Sequence, residues 1–132
     1  MRGVFAFLLV TMVSVGCATK LERARTDIQR TWRIAFVSEN GQDVTVQYTS
    51  TRNNYRVTFD NDNNFQEVYQ QFVGGDEITV NGSWDFSDQA TQLTMVDDNG
   101  TRVYQIDKLD DDELNVTDLG SNNDRMIQFV PN

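Results

Sequence analysis

Ile78-Thr79-Val80-Asn81-Gly82-Ser83-Trp84-Asp85-Phe86, then Leu93-Thr94-Met95, then Val103-Tyr104-Gln105-Ile106, alternate apolar with polar residues through three successive runs. Successive side chains on an extended chain point to opposite sides, so a period of two predicts strands with one buried face. Asn81-Gly82 and Asp97-Asp98-Asn99-Gly100 punctuate the runs. Asn-Gly suits a type I′ turn, both of whose central residues need positive φ, so each is expected to close a tight hairpin.

The same pattern extends in both directions. Trp32, Ile34 and Phe36 fall on one face of a first strand, and Val44, Val46 and Tyr48 on one face of a second, across Asn40-Gly41. Tyr55, Val57 and Phe59 follow Asn53-Asn54 as a third. Phe65 to Val73 make a fourth, with Phe65 and Tyr69 on one face and Val68 and Phe72 on the other, an irregularity that suggests a bulge or a strand covered on both sides. Leu114 with Val116, and Ile127 with Phe129, complete an array of about eight to ten short strands. No gap is long enough for the crossover that parallel pairing needs. The expected fold is therefore all-β, an antiparallel up-and-down meander closed or nearly closed into a barrel, because closure removes exposed edges.

Composition narrows the function. The chain has 132 residues, 11 basic and 20 acidic, a net charge of −9, no histidine and one cysteine. A surface so acidic is a poor partner for nucleic acid, whose binding depends on Lys and Arg. Without histidine, His-based acid–base chemistry, Ser-His-Asp and Cys-His pairs and the usual zinc cages are excluded. A carboxylate pair of the glycosidase kind is the one catalytic chemistry left open, and no spacing favours any pair. The expectation is no enzyme, no cofactor and no metal.

Residues 1–16 read as a signal peptide: Arg2, an apolar run Val4–Val13, then Ser14-Val15-Gly16 before Cys17. The run is too short to span a bilayer, which takes about 20 apolar residues. Ser14-Val15-Gly16-Cys17 resembles the lipobox of bacterial lipoproteins, with Ser14 in the usually aliphatic place, and this resemblance implies acylation of Cys17. Residues 17–30 are then a lipidated tether or short helix, and 31–131 the barrel. Leu21, Ala24 and Ile28 have helical spacing. Residues 18–33 carry five basic and two acidic side chains (+3), against five and eighteen (−13) in 34–132. The basic side chains can meet anionic headgroups, or the segment can be a solvated tether.

Thr31-Trp32-Arg33-Ile34, Tyr55-Arg56-Val57-Thr58-Phe59-Asp60 with Phe65, and Gly82-Ser83-Trp84-Asp85-Phe86 leading to Leu93-Thr94-Met95, Val103–Leu109 and Glu113-Leu114-Asn115-Val116 together resemble the small lipocalin-like lipoproteins of Bacteroidetes. Arg30 stands where larger lipocalins have the glycine of Gly-x-Trp. The resemblance implies a lipocalin-like barrel in a lipid-anchored, non-enzymatic protein of the cell envelope, on the periplasmic face of the outer membrane or on the cell surface. Its candidate partner is a small apolar or amphipathic molecule. The alternative is a solid barrel that binds another envelope protein. It also implies that Arg125, on the last strand, packs across Trp32 of the first to close the barrel; a solvated Arg125 paired with Asp124 or an acidic loop is the other reading.

The candidate ligand-binding set is Trp32, Phe36, Tyr48, Tyr55, Phe59, Tyr69, Trp84 and Tyr104. Aromatics fill small barrels as core and also line apolar pockets, and an eight-stranded barrel suits either use. Asp60-Asn61-Asp62-Asn63-Asn64 looks like a calcium loop, yet Phe65 occupies the glycine position and Gln71 the bidentate Glu position, so a hairpin loop is expected. Asp110-Asp111-Asp112-Glu113 reads as a solvated turn.

Overall fold

The computed structural model describes residues 19–132. The signal segment and Cys17 lie outside the described residues. Helix α1 (Lys20–Ile28) precedes β1 (Thr31–Glu39), β2 (Gln42–Asp43), helix α2 (Thr45–Thr49), β3 (Asn53–Phe59) and β4 (Asn64–Gln70). Then come β5 (Glu77–Phe86), β6 (Gln92–Asp97), β7 (Gly100–Leu109), β8 (Leu114–Asp118) and β9 (Arg125–Pro131). Every strand pairs antiparallel with its sequence neighbour along β3 to β9; β3 also pairs with β1, and β1 pairs with β9. The eight strands β1 and β3–β9 thus close on themselves, with the two-residue β2 a hairpin extension of β1.

One end of the barrel is sealed. Thr19 and Glu22 form a capping box that starts α1, and Ala24 and Ile28 on its inner face are buried. The Trp32 indole donates to the Ile28 carbonyl at 2.9 Å, joining the helix end to the first strand. Below it Phe59, Phe65, Trp84 and Phe86 make edge-on and tilted ring contacts at 5.2–6.5 Å, and Arg25 reaches from α1 over the Trp84 ring at 5.3 Å. Helix α1 is thus a docked plug and not a solvated tether. Among the described residues no helix is long and apolar enough to cross a membrane.

Four local expectations change. Residues 45–49 form helix α2 in place of the second strand: the Asp43 carboxylate accepts from the Thr45 amide (2.9 Å) and hydroxyl (2.6 Å), which starts a helical turn. One helical turn puts Val44 and Tyr48 together against the core and leaves Val46 79% exposed, where a strand would align all three. In β1 the register shifts between Ile34 and Phe36, so Val37 turns inward and Phe36 outward. Strand β4 itself is regular, with Phe65, Glu67 and Tyr69 facing in, and the irregularity lies on β3 between Asn53 and Arg56.

The fourth change concerns Asn81-Gly82. Strand β5 runs straight through it, pairing Asn81 with Gln66 and Gly82 with Phe65. The chain reverses instead at residues 71–76, where Gly74 takes φ +79°. A hairpin does close at the second Asn-Gly, but one residue earlier than that signal places it: Asp97 pairs with Gly100, so Asp98-Asn99 form the turn, and in this stretch only Gly100 has positive φ (+131°).

Candidate functional site

The connections β1–β3, β4–β5, β6–β7 and β8–β9 surround the other end of the barrel, which is open. Strand β4 points Glu67 into this mouth, where only 5% of the residue is exposed. A buried carboxylate needs a counter-charge and filled lone pairs. Arg102 of β7 supplies both, its Nη1 and Nη2 donating to Glu67 Oε2 and Oε1 at 3.1 and 2.5 Å, while the Tyr55 hydroxyl also donates to Glu67. Nη2 donates further to Asp97 at 3.0 Å. The arginine is pulled down by burial, but its hydrogen bond to and the charge of Glu67 outweigh this and raise its pKa. The sequence reading did not single out Glu67, Asp97 or Arg102; the inward phase of Glu67 between Phe65 and Tyr69 was the available signal.

A second cluster stands on the opposite wall. Arg125 pairs with Glu39 at 2.7 Å and Asp118 at 3.4 Å, and its Cζ lies 5.2 Å from the Tyr48 ring centroid. This corrects the expected Arg125–Trp32 packing. Strands β1 and β9 do adjoin, yet antiparallel register sets Arg125 opposite Glu39 and Trp32 opposite Pro131, at the far end of the same pair. The arginine over Trp32 is Arg30, at 5.4 Å.

Tyr48, Tyr55, Tyr69 and Tyr104 all face the mouth region, and Tyr55 and Tyr69 stack at 6.3 Å. Burial pushes the Tyr104 phenol up to about 12 and, helped by Glu67, raises Tyr55 well above its ordinary value; burial also raises Tyr48. These phenols stay neutral in the fold beyond the pH at which the unfolded chain ionises. Their contribution is complete below pH about 10 and is lost as pH rises through the folded value. Stability in urea should therefore fall by about 2–3 kcal/mol between pH 9.5 and 12 for Tyr104 alone, at about 1.4 kcal/mol per unit. Tyr104→Phe should flatten that decline, and an unchanged slope would contradict the assignment.

Space is divided unevenly. Between Tyr55, Phe59, Leu93, Leu114 and Phe129, deep in the barrel, about 20 Å³ is free. That holds about one water. Above it a cleft of about 270 Å³ opens among Arg52, Tyr55, Glu67, Tyr69, Val80 and Arg102. Of the expected ligand-binding set, Tyr55 and Tyr69 line this cleft and Tyr48 and Tyr104 stand beside its charged walls. Trp32, Phe59 and Trp84 belong to the packed base and Phe36 lies outside, 40% exposed. The acidic loops use their carboxylates as turn acceptors: Asp60 Oδ1 takes the amides of Asp62 and Asn64, and Asp110 Oδ1 those of Asp112 and Glu113.

A family model for the lipocalin-like domain matches residues 28–116. The chain belongs to the lipocalin-like domain family. A solved lipocalin-like protein from Bacteroides uniformis superposes on this lipocalin-like barrel with a TM-score of 0.61 at 13% identity, covering 80% of this chain and 99% of that one. At that identity the likeness is one of fold. No curated protein sequence matches the chain. The match includes β1, which closes the barrel, and Trp84 of its base.

Proposed function

We propose that this lipocalin-like protein is a non-enzymatic, lipid-anchored component of the cell envelope that binds a small amphipathic molecule at the barrel mouth. The observation that carries the reading is the contrast between a base with about 20 Å³ free and a mouth cleft of about 270 Å³. A long acyl chain has no room below Tyr55. A compact ligand can lay an apolar face on Tyr55, Tyr69 and Val80 and present hydrogen-bonding groups to Arg102 and Glu67. Pockets of this kind combine apolar walls with a few placed polar groups.

Anchoring is supported by Cys17 and by its place in the sequence, two residues before the capping residue Thr19. Thr19 already caps α1, so an acylated Cys17 would hold the plugged end of the barrel against the outer membrane and turn the mouth away. A non-enzymatic role agrees with the absence of histidine and with Glu67 being held by Arg102 and Tyr55. The second reading, an interaction module, is favoured by one feature: Val46, Phe72 and Val73 on the mouth connections are 79%, 65% and 85% exposed.

The test compares the full chain with its Cys17→Ser and Tyr69→Ala variants. The wild type should fractionate with membranes and Cys17→Ser should not. Native mass spectrometry of the detergent-extracted wild type should show a small-molecule adduct that Tyr69→Ala loses. Membrane retention of Cys17→Ser would sink the anchor, and an adduct-free mass together with a co-purifying envelope protein would replace the carrier with the module.

A further inference from the structure

Arg33 and Arg56 sit directly opposite each other in the short β1–β3 pairing. Both lie on the outer face, since Trp32 on β1 and Val57 on β3 are the buried neighbours. Side chains so placed have Cβ atoms about 4.5–5.5 Å apart, and like charges there repel. In a chain of net charge −9 an acidic neighbour would be easy to provide, yet among the described residues Arg33 has no ion pair and Arg56 has only Glu77 at 3.7 Å.

Beyond this pair β1 and β3 no longer pair, while β1 continues along β9 to Glu39. A cleft of about 390 Å³ opens there, lined by Arg33, Arg52 and Arg56 with Asn53, Asn54 and Tyr55 among its other walls. No carboxylate side chain lines it. Arg52 is held in place by its cation–π contact with Tyr48, 4.1 Å from the ring centroid, and by an Nη1 hydrogen bond to the Tyr48 carbonyl at 3.0 Å. Three guanidinium groups on one cleft with no acidic side chain in its lining, two of them directly opposite across a strand pair where like charges repel, call for an anion between them.

The geometry points to a second ligand site, which adjoins the mouth cleft and shares Arg52 and Tyr55 with it: the β1–β3 cleft binds a phosphate monoester group between Arg33, Arg56 and Arg52. Arginine forks match phosphate oxygens in bidentate fashion, and a dianion answers three cations better than a single carboxylate does. The asparagine amides can donate to the remaining oxygens. The same group occurs on free phosphate compounds and on lipid headgroups.

Inorganic phosphate titrated into the full chain in detergent, at low salt and pH 7.5, should bind saturably by calorimetry and raise the melting temperature. Arg33→Gln and Arg56→Gln should each weaken binding about tenfold or more, the loss expected for one charge-assisted contact. In phosphate-free buffer neither substitution should lower the melting temperature, since each removes a repulsion; a purely structural arginine would behave in the opposite way. Arg23→Gln on α1, away from the cleft, should leave binding unchanged. Absence of saturable binding up to about 10 mM, or equal affinity in Arg33→Gln, overturns the site. Short-chain phosphatidate binding more tightly than inorganic phosphate assigns the group to a lipid headgroup, and equal affinity assigns it to a free phosphate compound.

Discussion

Gly82→Ala is expected to destabilise the barrel by about 3 kcal/mol, at the upper end for overpacking a filled core. A Cβ at this position would lie 2.2 Å from the Val96 carbonyl oxygen and 2.6 and 2.7 Å from two atoms of the Phe65 ring. The ring can rotate, but the carbonyl belongs to the ladder in which Val96 pairs with Ser83, so relief requires parting β5 from β6. The glycine is needed here for close approach and not for a left-handed turn. Asn81→Ala, at the exposed neighbour, should change stability by less than about 0.5 kcal/mol. Urea unfolding followed by tryptophan fluorescence measures both. A loss below about 1 kcal/mol for Gly82→Ala would mean that the strands yield more easily than a closed barrel should.

Arg102→Met should cost about 2–3 kcal/mol, because it strands the Glu67 carboxylate in the mouth wall without its counter-charge. The arginine side chain is 34% exposed, which keeps the figure below that of a fully buried pair. Glu67→Met alone should cost less, since Asp97 still faces Arg102 at 3.0 Å. The double variant is the sharper measurement. With both groups gone Glu67 is no longer stranded, while Asp97 still lacks its partner, so part of the loss should be recovered, giving a coupling of about 1 kcal/mol or more in a double-mutant cycle. Simply additive losses would show that the pair contributes through packing alone. Because one member is buried, moderate salt should change the coupling little.

Much of the barrel is legible in the order of residues alone. The period-two runs around Val57, Trp84, Met95, Tyr104, Val116 and Ile127 mark inward faces, and all of these residues are buried. That alternation is a local property of an extended chain. The helix over Leu21–Ile28 and the reversal within Asp97–Gly100 were legible for the same reason, each signalled within a few residues, although the turn itself falls on Asp98-Asn99 and not on Asn99-Gly100. Where a local signal competed with another, the reading failed: Val44-Thr45-Val46 alternates like a strand, but Asp43 captures Thr45 and bends the chain into α2. Asn81-Gly82 has turn chemistry, yet β4 offers seven consecutive partners to β5 and the strand continues.

The two proposed sites belong to another level. Glu67 and Arg102 meet across 35 residues, Arg125 finds Glu39 across 86, and Arg33 faces Arg56 because β1 pairs with β3 in one register and not the next. A shift of one residue would reverse which side chains face the interior. Strand existence and face follow from the order of residues along each segment. Which charges share a wall, and which end of β1 Arg125 reaches, follow from register between distant segments, which barrel closure and core packing set and no single stretch of the chain encodes.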